Sequence, residues 1–304
     1  MAGLACATRL AEAGLIITLL DKGRGPGGRM AARRTEIAGE IVSFDHGAQY
    51  FTARDREFRK TVAEWAAQGV VAPWAAAGAD AWVGTRGMNG PIRAMAQDLD
   101  VRWSTRAEAL IREGDRWRIE AGETTLYAKS VAVAVPAEQA DELLRKPASY
   151  LAEVAAQARS EPCWAVMAGF ARPIGLAADV LRAPDAAISW AARNSAKPLR
   201  SGAECWVLHA SHRRSAELIE ETGEAAAQIL LGEFFALAGV EPVAPIHLVA
   251  HRWLYSMAQA VEGAPARFDH DRCIGIAGDY LHSPRVEGAW LSGVALAEQL
   301  LAPA

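Results

Sequence analysis

The stretch from Gly3 to Asp21 constrains the fold more than any other part of the chain. Gly3 stands at the head of a helical pattern over residues 2–14, in which Leu4, Ala7, Thr8 and Ala11 recur at helical spacing. Gly14 supplies the left-handed residue that ends such a helix. Residues 15–21 (LIITLLD) follow as an unbroken apolar run with β-branched members, the pattern of a parallel strand buried on both faces. A glycine early in a helix and an acid at the tip of the next strand are two parts of a dinucleotide-binding βαβ unit. The glycine lets the helix pack on the sheet, and the acid takes ribose hydroxyls. The same residues also suit an ordinary α/β start. The first strand and first two glycines of a GxGxxG fingerprint are not among them. This reading therefore places Met1 inside the fingerprint and expects the natural chain to begin upstream.

Two further segments carry anion-binding chemistry. Residues 22–34 (KGRGPGGRMAARR) form a Gly-rich basic loop directly after Asp21. In it, Gly27-Gly28 lets backbone N–H groups approach an anion, and Arg29 can add a charge-assisted bond to phosphate. A solvated basic loop is the alternative. Near the C-terminus, a buried-strand pattern over residues 273–278 (CIGIAG) ends in Gly278-Asp279, and VEGAWLSG then opens a helix expected over 289–301. Free N–H groups at a helix start suit an anionic ligand, although a capped terminal helix reads the same way.

The middle of the chain changes character. Residues 107–111 and 116–121 flank Glu113-Gly114-Asp115, a hairpin signal, and 130–135 (SVAVAV) read as a buried strand. From 162 to 255 the strands carry tryptophan (CWAVMAGF, AISWAA, ECWVLHA, LVAHRWLY), with one long helix expected over 215–237. The pattern predicts an α/β fold: a Rossmann-like part into which a mostly antiparallel α+β part is inserted. At 304 residues, 51% hydrophobic and 22% charged, the chain has ample material for a core, and disorder is excluded. A net charge of −4 gives no argument for nucleic acid. No apolar stretch reaches the ~18 residues of a membrane helix. Four scattered cysteines (Cys6, Cys163, Cys205, Cys273) make neither a CxxC motif nor a Cys/His cluster. No metal site is expected, and a cytoplasmic location suits such thiols.

The segments AGLACATRLAEAG, DKGRGPGGRMAARR, FDHGAQYFTARD, ISWAARNSAKP, AHRWLY and GDYLHSPRVEGAWLSG together resemble flavin-dependent oxidoreductases of the amine-oxidase type, most closely the renalase-like branch. The resemblance covers nearly the whole chain. It implies a discontinuous FAD-binding domain (1–60, 88–147, 264–304) and a substrate domain (61–87, 148–263). It also implies non-covalent FAD held by Gly3, Asp21, Lys22, Gly28, Arg29, Met30, Ala107, Val135, Gly278, Asp279, Glu287, Gly288 and Ala289, with Ala107 standing where the family usually has Val. The activity implied is oxidation of misreduced 2- or 6-dihydro NAD(P) isomers to NAD(P)+, with O2 reduced to hydrogen peroxide. Loss of hydride makes the dihydropyridine ring aromatic, so no catalytic side chain is required. On the substrate side, flat aromatic walls and phosphate-binding cations point to His46, Trp164, Trp190, Arg193, Arg252, Trp253 and Tyr255. Core packing is the competing role for each tryptophan. An amine oxidase or desaturase-like enzyme, or a non-catalytic protein without flavin, stands as the alternative.

Overall fold

Gly293 in the closing helix, Val286–Leu301, sits where a side chain would overlap the Ala2 carbonyl, so the closing helix packs directly on the opening helix, Ala2–Glu12. Ala2, Cys6 and Leu10 meet Ala289, Leu296 and Ala297 along that buried seam. In this computed structural model, which describes residues 1–37, 39–200 and 202–302, the two ends of the chain thus form one unit. Gly14 takes the expected left-handed conformation, φ +84°.

Two small parallel groups follow. Thr18–Leu20 pairs with Asp100–Arg102, and Val131–Val133 pairs with Ile274–Ala277, which is antiparallel to Ala266–Asp269 on its other side. Residues 15–20 and 130–135 line the same long cavity. The run 15–21 is therefore not the doubly buried strand its composition suggests. Among the described residues Thr18–Leu20 has a strand neighbour on one side only, and Ile16 is fully exposed. The hairpin at Gly114 is present (φ +62°) and gains a third strand, Thr124–Ala128, that its polar composition concealed.

A five-stranded antiparallel sheet forms the other half, in the order Val180–Arg182, Ile188–Arg193, Glu204–Ala210, Ser160–Phe170, His247–Ala258. Alternation along the strand divides its residues between two faces. Trp164, Val166, Ala168 and Phe170, with Trp206 and Leu208, pack on Leu230 and Phe234 of the helix Gly223–Ala238. From the opposite face, Met167, Cys205 and Val207 meet Val42 and Phe44 of a basic hairpin, Ala32–Ile37 with Glu40–Asp45. The single helix expected over 215–237 is two, His212–Glu217 and Gly223–Ala238. Thr222 starts the second, its hydroxyl accepting from Ala225 N–H at 3.2 Å, as an N-cap does. Among the described residues no helix is long and apolar enough to cross a membrane.

One buried ion cluster fastens the hairpin to this sheet. The fully buried Asp45 carboxylate accepts from Lys197 Nζ (3.1 Å), Arg200 Nη2 (2.8 Å) and Met88 N–H (2.8 Å), while Asn194 Oδ1 accepts from Asp45 N–H (3.2 Å). Burial alone would raise the Asp45 carboxyl, but the two cations outweigh it and hold the group below the ordinary carboxylate range. Its contribution to stability is therefore present above the unfolded value, near about 4, and is lost as pH falls through the lowered folded value. Replacing Asp45 with Ala strands two buried cations. The expected loss is about 3–5 kcal/mol in urea unfolding at pH 7, shrinking below about pH 4 where wild type loses the same contribution.

Candidate functional site

The cavity between the two halves measures about 1700 Å³ and runs from both helix starts to the inner face of the five-stranded sheet. Met1, Ala2 and Gly3 line it at one helix start; Arg285, Val286 and Ala289 line it at the other. Neither start has a side-chain cap, so the first backbone N–H groups there have no side-chain partner. Gly3 brings the opening helix close to the strand side, where an added Cβ would sit 3.3 Å from Ala134 Cβ.

Asp21 lines the cavity at the tip of its strand. One carboxylate oxygen accepts from Gly23 N–H at 2.7 Å, and the other has no protein partner among the described residues. Helix-start N–H donors suit an anionic centre, and a free carboxylate acceptor suits a sugar hydroxyl. Lys22, Gly28, Arg29, Met30, Ala107, Val135, Gly278 and Asp279 also line the cavity. Four of these do not stand free: Lys22 donates to Gln139 Oε1 at 3.0 Å, and Arg29, Asp279 and Gly278 are also bonded. Arg29 forms a two-pronged pair with Asp279 (2.8 and 2.5 Å) and donates to the Ser256 carbonyl at 3.2 Å. It thereby joins the glycine loop, the C-terminal turn and the last strand of the inserted sheet. Gly278 N–H is taken by Ser292 Oγ at 2.8 Å, and a side chain at Gly278 would overlap the Tyr280 ring.

Contrary to expectation, Glu287 and Gly288 stand apart from the cavity lining. The Glu287 carboxylate accepts from both Arg54 and Asp55 N–H at 2.6 Å, bracing the turn before the helix Arg56–Ala67. Gly288 is required by its approach to the Ser283 backbone.

On the sheet side, Trp190, Trp253 and Tyr255 line the cavity. The Trp253 indole donates to the His46 carbonyl at 2.8 Å and stacks on the His46 ring, with centroids 5.3 Å apart. His46 itself is buried behind Trp253, and burial, with His251 adding, pushes its imidazole down to about 4. Three expectations fail for one reason, strand parity. Trp164 lies on the helix-covered face, with its indole donating to the Leu218 carbonyl. Arg252 points the same way, its guanidinium over the Trp164 ring and bonded to Ile219 O. Arg193 lies over Trp206 and pairs with Asp179 at 2.6 Å. Trp164 and Arg193 are absent from the cavity lining, and Arg252 lines it while its guanidinium is held over Trp164.

Residues the sequence did not single out complete this end: Gln49, Tyr50, Cys163 and His209. Tyr50 stacks on Trp190 at 5.3 Å, and the Arg182 guanidinium covers both rings at 5.4 and 4.7 Å. The alternation of ECWVLHA places His209 two residues from Val207, on the face away from the helix, and was the available signal.

Comparison with known proteins agrees with this geometry. Residues 75–301 match the family of flavin-containing amine oxidoreductases, and residues 1–65 match an NAD(P)-binding Rossmann-like domain. The chain belongs to the flavin-containing amine oxidoreductase family, and its cofactor is FAD. Among solved structures, it is similar to a triple mutant of putrescine oxidase (TM-score 0.71, 14% identity, covering 100% of this chain and 97% of that one). Similarity extends to an Exiguobacterium protein provisionally named a protoporphyrinogen oxidase (TM-score 0.60, 17% identity, 73% of this chain and 52% of that one). It extends also to cyclohexylamine oxidase from Brevibacterium oxydans (TM-score 0.58, 13% identity, 73% and 54%). The chain thus spans about half the length of the last two. At these identities the likeness defines the fold.

Two substitutions separate ligand contact from bracing. Asp21→Ala is expected to weaken FAD binding roughly 10- to 150-fold in a fluorescence titration, the equivalent of losing about 1.5–3 kcal/mol of hydrogen bonding to a charged group. Glu287→Ala is expected to lower unfolding stability by about 1–3 kcal/mol, while the folded protein binds FAD as wild type does.

Proposed function

We propose that the protein is an oxidase of dihydronicotinamide dinucleotides, of renalase-like specificity, that converts 2- or 6-dihydro NAD(P) isomers to NAD(P)+ with non-covalently bound FAD. When bound, FAD supplies the hydride acceptor and passes the electron pair on to dioxygen. The overall reaction balances as dihydronicotinamide plus O2 plus a proton giving NAD(P)+ plus hydrogen peroxide.

The observation that carries this reading is the character of the cavity's sheet end. Among the described residues, Gln49, Tyr50, Cys163, Trp190, His209, Arg252, Trp253 and Tyr255 line it, with the Arg252 guanidinium bonded to Ile219 O, and no carboxylate does. The acids that line the cavity are Asp21, Glu108, Glu142 and Asp279, and Asp279 is already neutralised by Arg29. A protonated amine would need a carboxylate or an open aromatic face. Here the Tyr50 and Trp190 rings already carry the Arg182 cation. A flat, uncharged ring fits such walls better. The side chains then serve to position it. Trp190, Trp253 and Tyr255 hold the ring and exclude water, and no residue needs to remove a proton as the ring becomes aromatic.

Steady-state assays with borohydride-reduced NAD+ and NADP+ mixtures test the proposal. The expected result is consumption of the 2- and 6-dihydro isomers with one peroxide formed per turnover. Turnover of primary amines alone would replace this reading with an amine oxidase. A purified protein that takes up no flavin would leave it without an enzymatic role.

A further inference from the structure

The His209 imidazole occupies the centre of the cavity-facing row of the sheet. It lies directly across from Trp190 on one neighbouring strand and from Ala165 on the other. His209 lines the cavity and is half-buried. Its hydrogen-bonding state follows from neighbours that are themselves fixed.

Lys197 Nζ, buried beside Asp45, donates to Gln49 Oε1 at 3.2 Å, which sets the orientation of the Gln49 amide. An ammonium has no lone pair, so the oxygen and not the nitrogen of that amide must face it. Gln49 Nε2 then directs its two hydrogens to the carbonyls of Asp45 and Gly47. No hydrogen remains for His209 Nε2, although that atom lies 3.4 Å away. His209 Nε2 lies 3.3 Å from the His46 carbonyl and is left as the donor to it. Burial pushes the imidazole down to about 4, so the ring is neutral near pH 7 and carries one proton. With that proton on Nε2, Nδ1 is an acceptor, and among the described residues it has no protein partner.

We propose that His209 is a specificity-determining residue whose Nδ1 lone pair accepts a hydrogen bond from the carboxamide N–H of the dihydronicotinamide ring. The assignment rests on the reading of the substrate given above and deepens it. In such a ring N1 carries the ribose, so the carboxamide holds the N–H donors of the ring system. A buried acceptor that gains a donor only from the correct substrate discriminates against analogues lacking it, because the unmade bond leaves both groups desolvated. Lys197 and Gln49 act as positioning residues behind it, fixing which nitrogen of His209 carries the proton.

The test compares kcat/KM for dihydro isomers of NAD with those of the 3-acetylpyridine dinucleotide, whose acetyl group has no N–H. Wild type is expected to prefer the carboxamide by about tenfold or more. His209→Phe, which keeps the ring volume and removes the acceptor, should bring the two substrates to within about twofold. His209→Asn, which returns an acceptor oxygen at the same distance along the side chain, should restore part of the preference. A wild-type enzyme that oxidises both substrates equally overturns the assignment whether or not the variants fold. A preference that persists unchanged in His209→Phe also overturns it, and either result leaves the dihydronicotinamide oxidase reading standing. A wild-type enzyme that holds FAD yet oxidises no dihydronicotinamide overturns both.

Discussion

The salt-bridged carboxylate of Asp45 is the interaction on which the arrangement of the two halves depends. It lies at the end of the hairpin strand Glu40–Asp45, reaches back to the turn at Met88 and forward to Lys197 and Arg200 after the inserted strand Ile188–Arg193. A buried carboxylate between two buried cations tolerates little displacement, since moving any one leaves an uncompensated charge in a poorly solvating interior. Burial pushes the Lys197 ammonium down to about 8 against the pull of Asp45, and it still bears its proton near pH 7. Through Gln49 the same cluster reaches the cavity. In the proposed arrangement, structural and recognition roles share one set of charges.

The second organising constraint is strand parity in the five-stranded sheet. One face is sealed by the apolar helix Gly223–Ala238; the other is shared between the hairpin and the cavity. Successive residues alternate between these environments, so Trp164 becomes core while Cys163, one residue earlier, lines the cavity. Two irregularities, between Glu161 and Cys163 and between Ile188 and Trp190, shift the register where the cavity begins. They bring Trp253 opposite Cys163 and Trp190 opposite His209. Bulges of this kind re-aim side chains next to functional sites.

Much of the frame was legible in the sequence because its causes are local. Gly14 ends the opening helix, Gly114 turns the hairpin, and the apolar runs before Asp21 and Gly278 lead to the cavity. What escaped depends on partners distant in the chain. Glu287 looks like a helix-start acid awaiting a ligand, yet its Oε1 accepts from the N–H groups of Arg54 and Asp55, more than two hundred positions away. Arg193 and Arg252 look like phosphate clamps, but parity turns both toward the helix-covered face. His209 was hidden for the converse reason. A lone histidine on a strand is ordinary until its neighbours show which nitrogen is free.

In the proposed arrangement both chain ends and the inserted sheet serve one continuous trough, with FAD along it and the nicotinamide ring at the sheet end. The most direct measurement is a crystal structure of the protein with FAD and an NAD(P)+ product. Pyrophosphate density is expected at the uncapped helix starts near Gly3 and Val286. The isoalloxazine ring is expected between the Arg29–Asp279 pair and the row formed by Trp190 and His209, with the nicotinamide stacked against it. A flavin ring bound outside this trough, or a nicotinamide held away from the inserted sheet, would contradict the arrangement.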